Sequence, residues 1–130
     1  MSGPPLDGAV RAALDHGQLI DLTTTGAKSG RERRVEIVLH SFDGHLYISG
    51  MPNPARKRSW LANIEKNPAI TVHLRGALMT DLPAVARVIS EPAERRAVLE
   101  KVARVWHRTD LGIMFEHSPL VEVSIPGFPN

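Results

Sequence analysis

The sequence predicts an α+β fold, mainly β: a barrel of about six antiparallel strands carrying three or four short helices. Three observations predict it. Apolar and polar residues alternate over short stretches, as at Val35, Ile37 and Leu39 and again at Ile70, Val72 and Leu74. Turn signals, Asp43-Gly44 above all, join neighbouring stretches as hairpins. Helical periodicity is confined to short segments between them. Hairpin-linked strands build an antiparallel barrel more readily than a parallel sheet, whose strands need long crossovers.

The elements follow in order. Residues 7–16 form a short helix, with Asp7 as N-cap, Ala9-Val10 and Ala12-Ala13-Leu14 at helical spacing, and Gly17 at the stop. Leu19 to Thr24 reads as a strand. A second strand runs through Val35, Ile37 and Leu39, and a third holds Leu46, Tyr47 and Ile48, with the Asp43-Gly44 turn between them. Asn53-Pro54 opens a helix over Ala55 to Lys66: Asn caps, Pro suits the first helical position, and Trp60, Leu61 and Ile64 form the apolar stripe. Asn67-Pro68 ends it. Residues 69–75 are a strand. Residues 77–90 hold one or two more, broken near Asp81-Leu82-Pro83. Glu91-Pro92 starts a helix reaching about His107, with Val98, Val102, Val105 and Trp106 on one face. Leu120 to Ile125 closes the fold as a last strand.

With 130 residues, 42% hydrophobic and 23% charged, the chain has the composition of one globular domain spanning 1–130. It has no cysteine. That excludes thiol nucleophiles, disulfides and zinc thiolate sites, and it agrees with a cytoplasmic location. No apolar run reaches the roughly 18–20 residues that span a bilayer, so no integral membrane segment is expected. Met1 to Pro5 lacks the basic-then-apolar pattern of a signal peptide. The net charge is only +2, so the placement of the basic residues matters more than their number.

The most informative stretch is Thr23-Thr24-Thr25-Gly26-Ala27-Lys28-Ser29-Gly30-Arg31-Glu32-Arg33-Arg34. It places hydroxyls, glycines and four cations between two strands. Glycine lets backbone turn tightly and approach a ligand. Hydroxyls, free N–H groups and fixed cations together suit phosphate or carboxylate oxygens. The same residues also suit an ordinary solvated hairpin loop. The spacing is not that of a P-loop. A second basic cluster, Arg56, Lys57 and Arg58, falls in the first turn of the helix opened by Asn53-Pro54. Cations there oppose the helix dipole at about a few tenths of a kcal/mol each. A bound anion would relieve that conflict, and so, at little loss, would solvation.

Other chemistries find little support. The six histidines show no His-x-x-x-His or His-Glu-x-x-His spacing, so no metal site is expected. Ser29, Ser49, Ser59 and Ser118 lack a nucleophile-elbow context, and no catalytic residue is assigned. Trp60 and Trp106 sit on apolar helix faces and read first as core residues, with ring stacking an alternative for Trp60. Aromatic residues are only 5%, and no nucleic-acid motif accompanies the basic loops.

These residues resemble the deazaflavin (coenzyme F-420)-dependent nitroreductase family, whose fold is a split β-barrel. Leu22 to Gly30 is similar to the family's Thr-Thr-x-Gly-x-x-Ser-Gly signature. Trp60-Leu61-Ala62-Asn63-Ile64 with Asn67-Pro68 is similar to its Trp-Tyr-x-Asn-Leu…Asn-Pro pattern. Glu91 to Val102 and Ser118 to Pro126 resemble its late helix and last strand, so most of residues 19–126 is covered. The resemblance implies hydride transfer from reduced cofactor to a small electrophile such as a quinone, nitro compound or activated alkene. The implied cofactor contacts are Thr25, Gly26, Lys28, Ser29 and Arg33, then Ser49, then Arg56, Lys57 and Trp60; Lys57 enters on charge alone. The cofactor's tail, a phosphodiester with glutamate, is anionic, which suits the basic loop.

Some positions depart from the family pattern. Met51 stands where members often carry a lysine, Leu61 where they carry a tyrosine, and Phe115 where some place substrate-contacting tyrosines. Glu36 occupies a position usually small or proline. Two other readings keep the barrel: an FMN-binding reductase, or a non-catalytic binder of a fatty acid or haem. Split barrels commonly pair, so a homodimer and a monomer are both compatible with the resemblance.

Overall fold

The computed structural model describes residues 7–52 and 58–129. Six strands form the barrel: β1 (Gln18–Thr25), β2 (Glu32–Phe42), β3 (His45–Ser49), β4 (Ala69–Arg75), β5 (Met79–Val88) and β6 (Leu120–Ser124). Four helices accompany them: α1 (Gly8–His16), α2 (Ser59–Lys66), α3 (Pro92–Val105) and α4 (Leu111–His117). All strand pairs are antiparallel, in the closed order β1-β2-β3-β6-β5-β4, and the ring shuts where β1 pairs with β4 from Ile20↔Leu74 to Thr23↔Thr71. The mainly β barrel expected from the sequence is the fold observed.

Alternation explains which way each strand faces. Ile20 and Leu22, Leu39, Leu46 and Ile48, Val72 and Leu74, and Val121 and Val123 are buried together inside the ring. Val10 and Leu14 of α1 and Trp60 and Ile64 of α2 join this core. In β3 the alternation disappears because both faces are covered. Tyr47 points away from the barrel core, into a second cluster with Val98, Leu99 and Val102 of α3, Met114 of α4, and Leu120. The β2–β3 turn behaves as its dipeptide predicts: Asp43 and Gly44 both have positive φ, 53° and 81°.

Three sequence expectations change. The strand expected to break near Pro83 is continuous from Met79 to Val88. Pro83 pairs with Thr71 of β4, but β5 meets β6 only from Val85 onward, so at Pro83 one edge of β5 has no ladder partner to lose. The second helix starts later than expected. Ser59 is its first helical residue, and Arg58 is extended at φ −99° and ψ 113°. Arg58 therefore precedes the first turn rather than sitting in it, and the dipole conflict does not apply to it. Asn53, Pro54, Arg56 and Lys57 lie outside the described residues. Finally, α3 ends at Val105, with Trp106 as its C-cap and a separate α4 following. α4 spans only seven residues with one fully buried side chain, Met114, so it leaves little periodic signal to read.

Candidate functional site

The β1–β2 hairpin loop is built by its own hydrogen bonds. Gly26 N–H donates to Arg31 O at 2.7 Å and Gly30 N–H donates to Gly26 O at 2.9 Å. Ser29 Oγ accepts from Arg31 N–H at 3.2 Å. Two glycines are required for different reasons. A Cβ on Gly26 would stand 2.7 Å from Ser29 Oγ and 3.0 Å from Arg31 O, so there is no room. Gly30 has open space but a φ of +71°, which side chains rarely adopt.

The loop is anchored to the barrel by Asn63 of α2. Its Oδ1 accepts from Ala27 N–H at 2.8 Å, and its Nδ2 donates to Thr24 Oγ1 at 3.0 Å. Both Asn63 and Thr24 are buried. Because a buried amide left unpaired costs about 1–3 kcal/mol, this pair of hydrogen bonds fixes the loop in one place. Asn63 was not among the residues expected to form the site. A signal for it exists: Asn63 shares the i, i+3, i+4 stripe of Trp60 and Ile64, where a polar side chain needs a partner.

Between this loop and α2 lies an open cleft of about 850 Å3. Gly26, Lys28, Ser29 and Arg33 line one wall and Trp60, with Ser59, Ala62 and Asn63, the other. So five of the expected site residues come together: Gly26, Lys28, Ser29, Arg33 and Trp60. Glu32 and Arg34, both within the basic stretch read from the sequence, complete the wall from β2 together with Val35, which the sequence does not single out. Trp60 packs in the core, as its apolar helix face implies, and also borders the cleft. Thr25 is half-buried at the end of β1, outside the cleft wall. Ser49 is not in that wall either. It is buried on β3, where its hydroxyl donates to Pro119 O at 2.7 Å. Arg56 and Lys57 lie outside the described residues.

The electrostatics of the cleft favour an anion. Arg34 is committed to Asp21, 2.7 Å away, and this pair together with Arg75 holds the Asp21 carboxyl below its ordinary range. Among the described residues, Lys28 and Arg33 are exposed and enter no ion pair. The backbone N–H groups of Lys28 and Ser29 are likewise without a partner there. Two adjacent amide donors flanked by uncommitted cations form the kind of concavity that receives phosphate or carboxylate oxygens. Glu32 is the one acid in the wall, and it sits at the start of β2 beside Arg33.

Elsewhere the fold aligns a hydroxyl, an imidazole and a carboxylate. Thr23 Oγ1 lies 2.6 Å from His73 Nε2, and His73 Nδ1 lies 2.6 Å from Asp81 Oδ1. The three residues come from β1, β4 and β5, in the outward register of the barrel wall and outside the cleft. They cross-tie adjacent strands, and the neighbouring backbone groups are engaged in the ladder. Among the described residues no group of three His, Cys, Asp or Glu side chains is placed to hold a metal. No helix among them is long and apolar enough to cross a membrane.

Comparison with solved structures places the fold. An F-420-dependent reductase superposes with a TM-score of 0.59 at 23% identity, covering 82% of this chain and 93% of that one. A conserved hypothetical protein from Mycobacterium tuberculosis gives 0.71 at 16% identity, covering 92% and 81%. A second structure described as an F-420 reductase gives 0.65 at 16% identity, covering 95% and 98%. At these identities the likeness is one of fold. A search of curated protein sequences finds no match. The family model of the F-420H(2)-dependent quinone reductases matches residues 5–111, which takes in the signature loop, the cleft and α2. The chain therefore belongs to the F-420H(2)-dependent quinone reductase family, and with it to the oxidoreductases that use reduced F-420.

Proposed function

We propose that the chain transfers a hydride from reduced F-420 to a small electrophile, a quinone, nitro compound or activated alkene, with the cofactor's anionic tail seated in the loop–α2 cleft. One observation carries the placement: Lys28 and Arg33 reach the cleft uncommitted, beside the open N–H groups of Lys28 and Ser29. The residues fit the group. A phosphodiester and a carboxylate tail need several donors along one groove, and a cleft of about 850 Å3 gives them space.

The bound deazaflavin supplies the hydride. The protein's part is position and environment rather than acid–base chemistry. Lys28 and Arg33 neutralise tail oxygens. Asn63 keeps the loop amides aimed at them, so little ordering is needed on binding. Trp60 gives the opposite wall an apolar residue. Glu32 counters part of the positive field and discourages a more highly charged polyphosphate.

Titration of the purified protein with oxidised F-420, followed by cofactor absorbance and fluorescence, tests this reading. Saturable binding that weakens in Lys28→Ala and Arg33→Ala is expected. Full affinity in both variants would remove the cleft from the cofactor site. A preference for FMN, visible as a yellow purified protein, would move the chemistry to flavin.

A further inference from the structure

A second depression, about 400 Å3, lies on the other side of the start of α2. Ser59, Trp60, Ala62 and Asn63 border the cofactor cleft, whereas Arg58 and Leu61 border this pocket. Its floor is apolar, formed by Leu61, Val88, Ile89, Phe115 and Leu120. Its charged wall is made by two guanidiniums, those of Arg58 and Arg95.

Arg95 is an unusual cation. It is half-buried, and its guanidinium donates to three backbone carbonyls: Ile89 O at 3.2 Å, Phe115 O at 2.6 Å and Ser118 O at 2.9 Å. Among the described residues no carboxylate pairs with it. Burial lowers its pKa, the signature of a charge held without a counter-ion. A guanidinium has five N–H donors in a fork, and the carbonyl bonds run through Nη1 and Nη2 only, so among the described residues Nε–H is left to donate. Arg58 lines the same pocket; its guanidinium already donates to Met51 O and packs so closely over Gly50 that a Cβ there would meet its Nε at 3.0 Å, so a carboxylate would share this guanidinium with that carbonyl. The one acid in the wall, Glu116, has a side chain 72% exposed and 3.6 Å from His117 Nε2, so it faces solvent. Ser118, also in the wall, has a buried hydroxyl without a hydrogen-bond partner among the described residues. Removing a charge from water without pairing it is costly, and an anion entering the pocket would repay that cost.

We propose that this pocket is a recognition site for a small carboxylate with a planar apolar body, an aryl or alkenyl acid. The floor takes the body, and Arg58 and Arg95 take the carboxylate. In calling that acid the electron acceptor we rely on the function proposed above; the binding itself does not need it.

The test is an amide NMR titration of the full chain, without cofactor, using naphthalene carboxylate and its neutral amide as probes. Saturable shifts are expected at residues 88–90 and 115–120 with the carboxylate, and affinity at least about tenfold weaker with the amide, the loss of one charge-assisted contact. Arg58→Gln should weaken the carboxylate to a similar extent and leave the amide unchanged. It is preferred to a change at Arg95, whose carbonyl bonds also tie α3 to α4. Equal affinity for the two probes would overturn the proposal, as would carboxylate shifts confined to residues 26–35. F-420 titrated into the same sample reads the other cleft. Loss of F-420 binding with carboxylate binding intact sinks the cofactor reading and upholds this pocket.

Discussion

Asn63 holds Ala27: the buried side-chain oxygen of one accepts the backbone N–H of the other at 2.8 Å, across 36 residues of sequence. The nitrogen of the same amide donates to Thr24, at the point where β1 gives way to the loop. A helix residue thus sets where the loop's open amides point. Asn63→Ala should cost about 1–3 kcal/mol of stability, because Ala27 N–H and Thr24 Oγ1 lose their partners behind the loop. F-420 affinity should fall as well. Asn63→Asp should hold the loop better than alanine does, since it keeps an acceptor for Ala27 N–H and its second oxygen can accept from the Thr24 hydroxyl, but it buries a charge and so still lowers stability. Urea denaturation combined with cofactor titration checks both effects. An alanine variant with wild-type loop amide shifts would show that the loop is held by its own turn bonds instead.

Lys28 and Arg33 should act additively only in part, because they would meet the same anionic tail. Each replacement by alanine is expected to weaken F-420 binding by about 1.5–3 kcal/mol, or roughly 10- to 150-fold, as charge-assisted contacts do. The wild-type Kd should rise with ionic strength, and the rise should be shallower in either variant. Arg34→Ala should do less to binding, since that guanidinium is already committed to Asp21. Kd values measured across a salt series in the three variants would settle the ranking. An Arg34 effect equal to that of Arg33 would contradict the division of labour drawn here.

Much of this was legible in the sequence, for identifiable reasons. Strand alternation and the Asp43-Gly44 turn are local signals, and the barrel follows from them. Gly26, Lys28, Ser29 and Arg33 were readable because one loop carries them in sequence. Asn63 and Arg95 were not, because their roles depend on groups far along the chain: Thr24 and Ala27 for one, Phe115 and Ser118 for the other. Pro83 looked like a strand breaker because the sequence does not say which edge of β5 stays unpaired there. The motif around Ser49 implies a cofactor contact; in the structure its hydroxyl is buried and donates to Pro119 O.

Gly26→Ala should be more damaging than Gly30→Ala to the turn itself. At Gly26 the new methyl would press on Ser29 Oγ and on the Arg31 carbonyl, and the carbonyl is backbone that also receives Gly26 N–H. At Gly30 the space is open and only the positive φ is unfavourable, a cost of about 1–2 kcal/mol. Thermal melts give the stability ranking. Cofactor titration should show the larger loss for Gly26→Ala, since the Lys28 and Ser29 amides move with the turn. A Gly30→Ala variant with the lower affinity would point to φ, rather than space, as the constraint that shapes the site.

His40 makes stability depend on pH. It is only 4% exposed, stacked on Phe42 with ring centroids 5.7 Å apart and met edge-on by Trp106 at 5.4 Å. Its Nε2 has no hydrogen-bond partner among the described residues. Burial lowers its pKa to about 4, against roughly 6.5 in an unfolded chain. Between those values the unfolded state binds a proton that the folded state refuses. Stability is therefore full above about pH 6.5 and falls as the pH is lowered towards 4, by about 3 kcal/mol in total for this group. His40→Phe keeps an apolar ring against Trp106 and removes the titration. The two proteins differ at this side chain alone, so the difference between their urea-denaturation free energies isolates His40. That difference should shift in favour of the variant as the pH drops from 7.5 to 4.5, and a difference constant across the range would mean that the imidazole is protonated in place or reaches water.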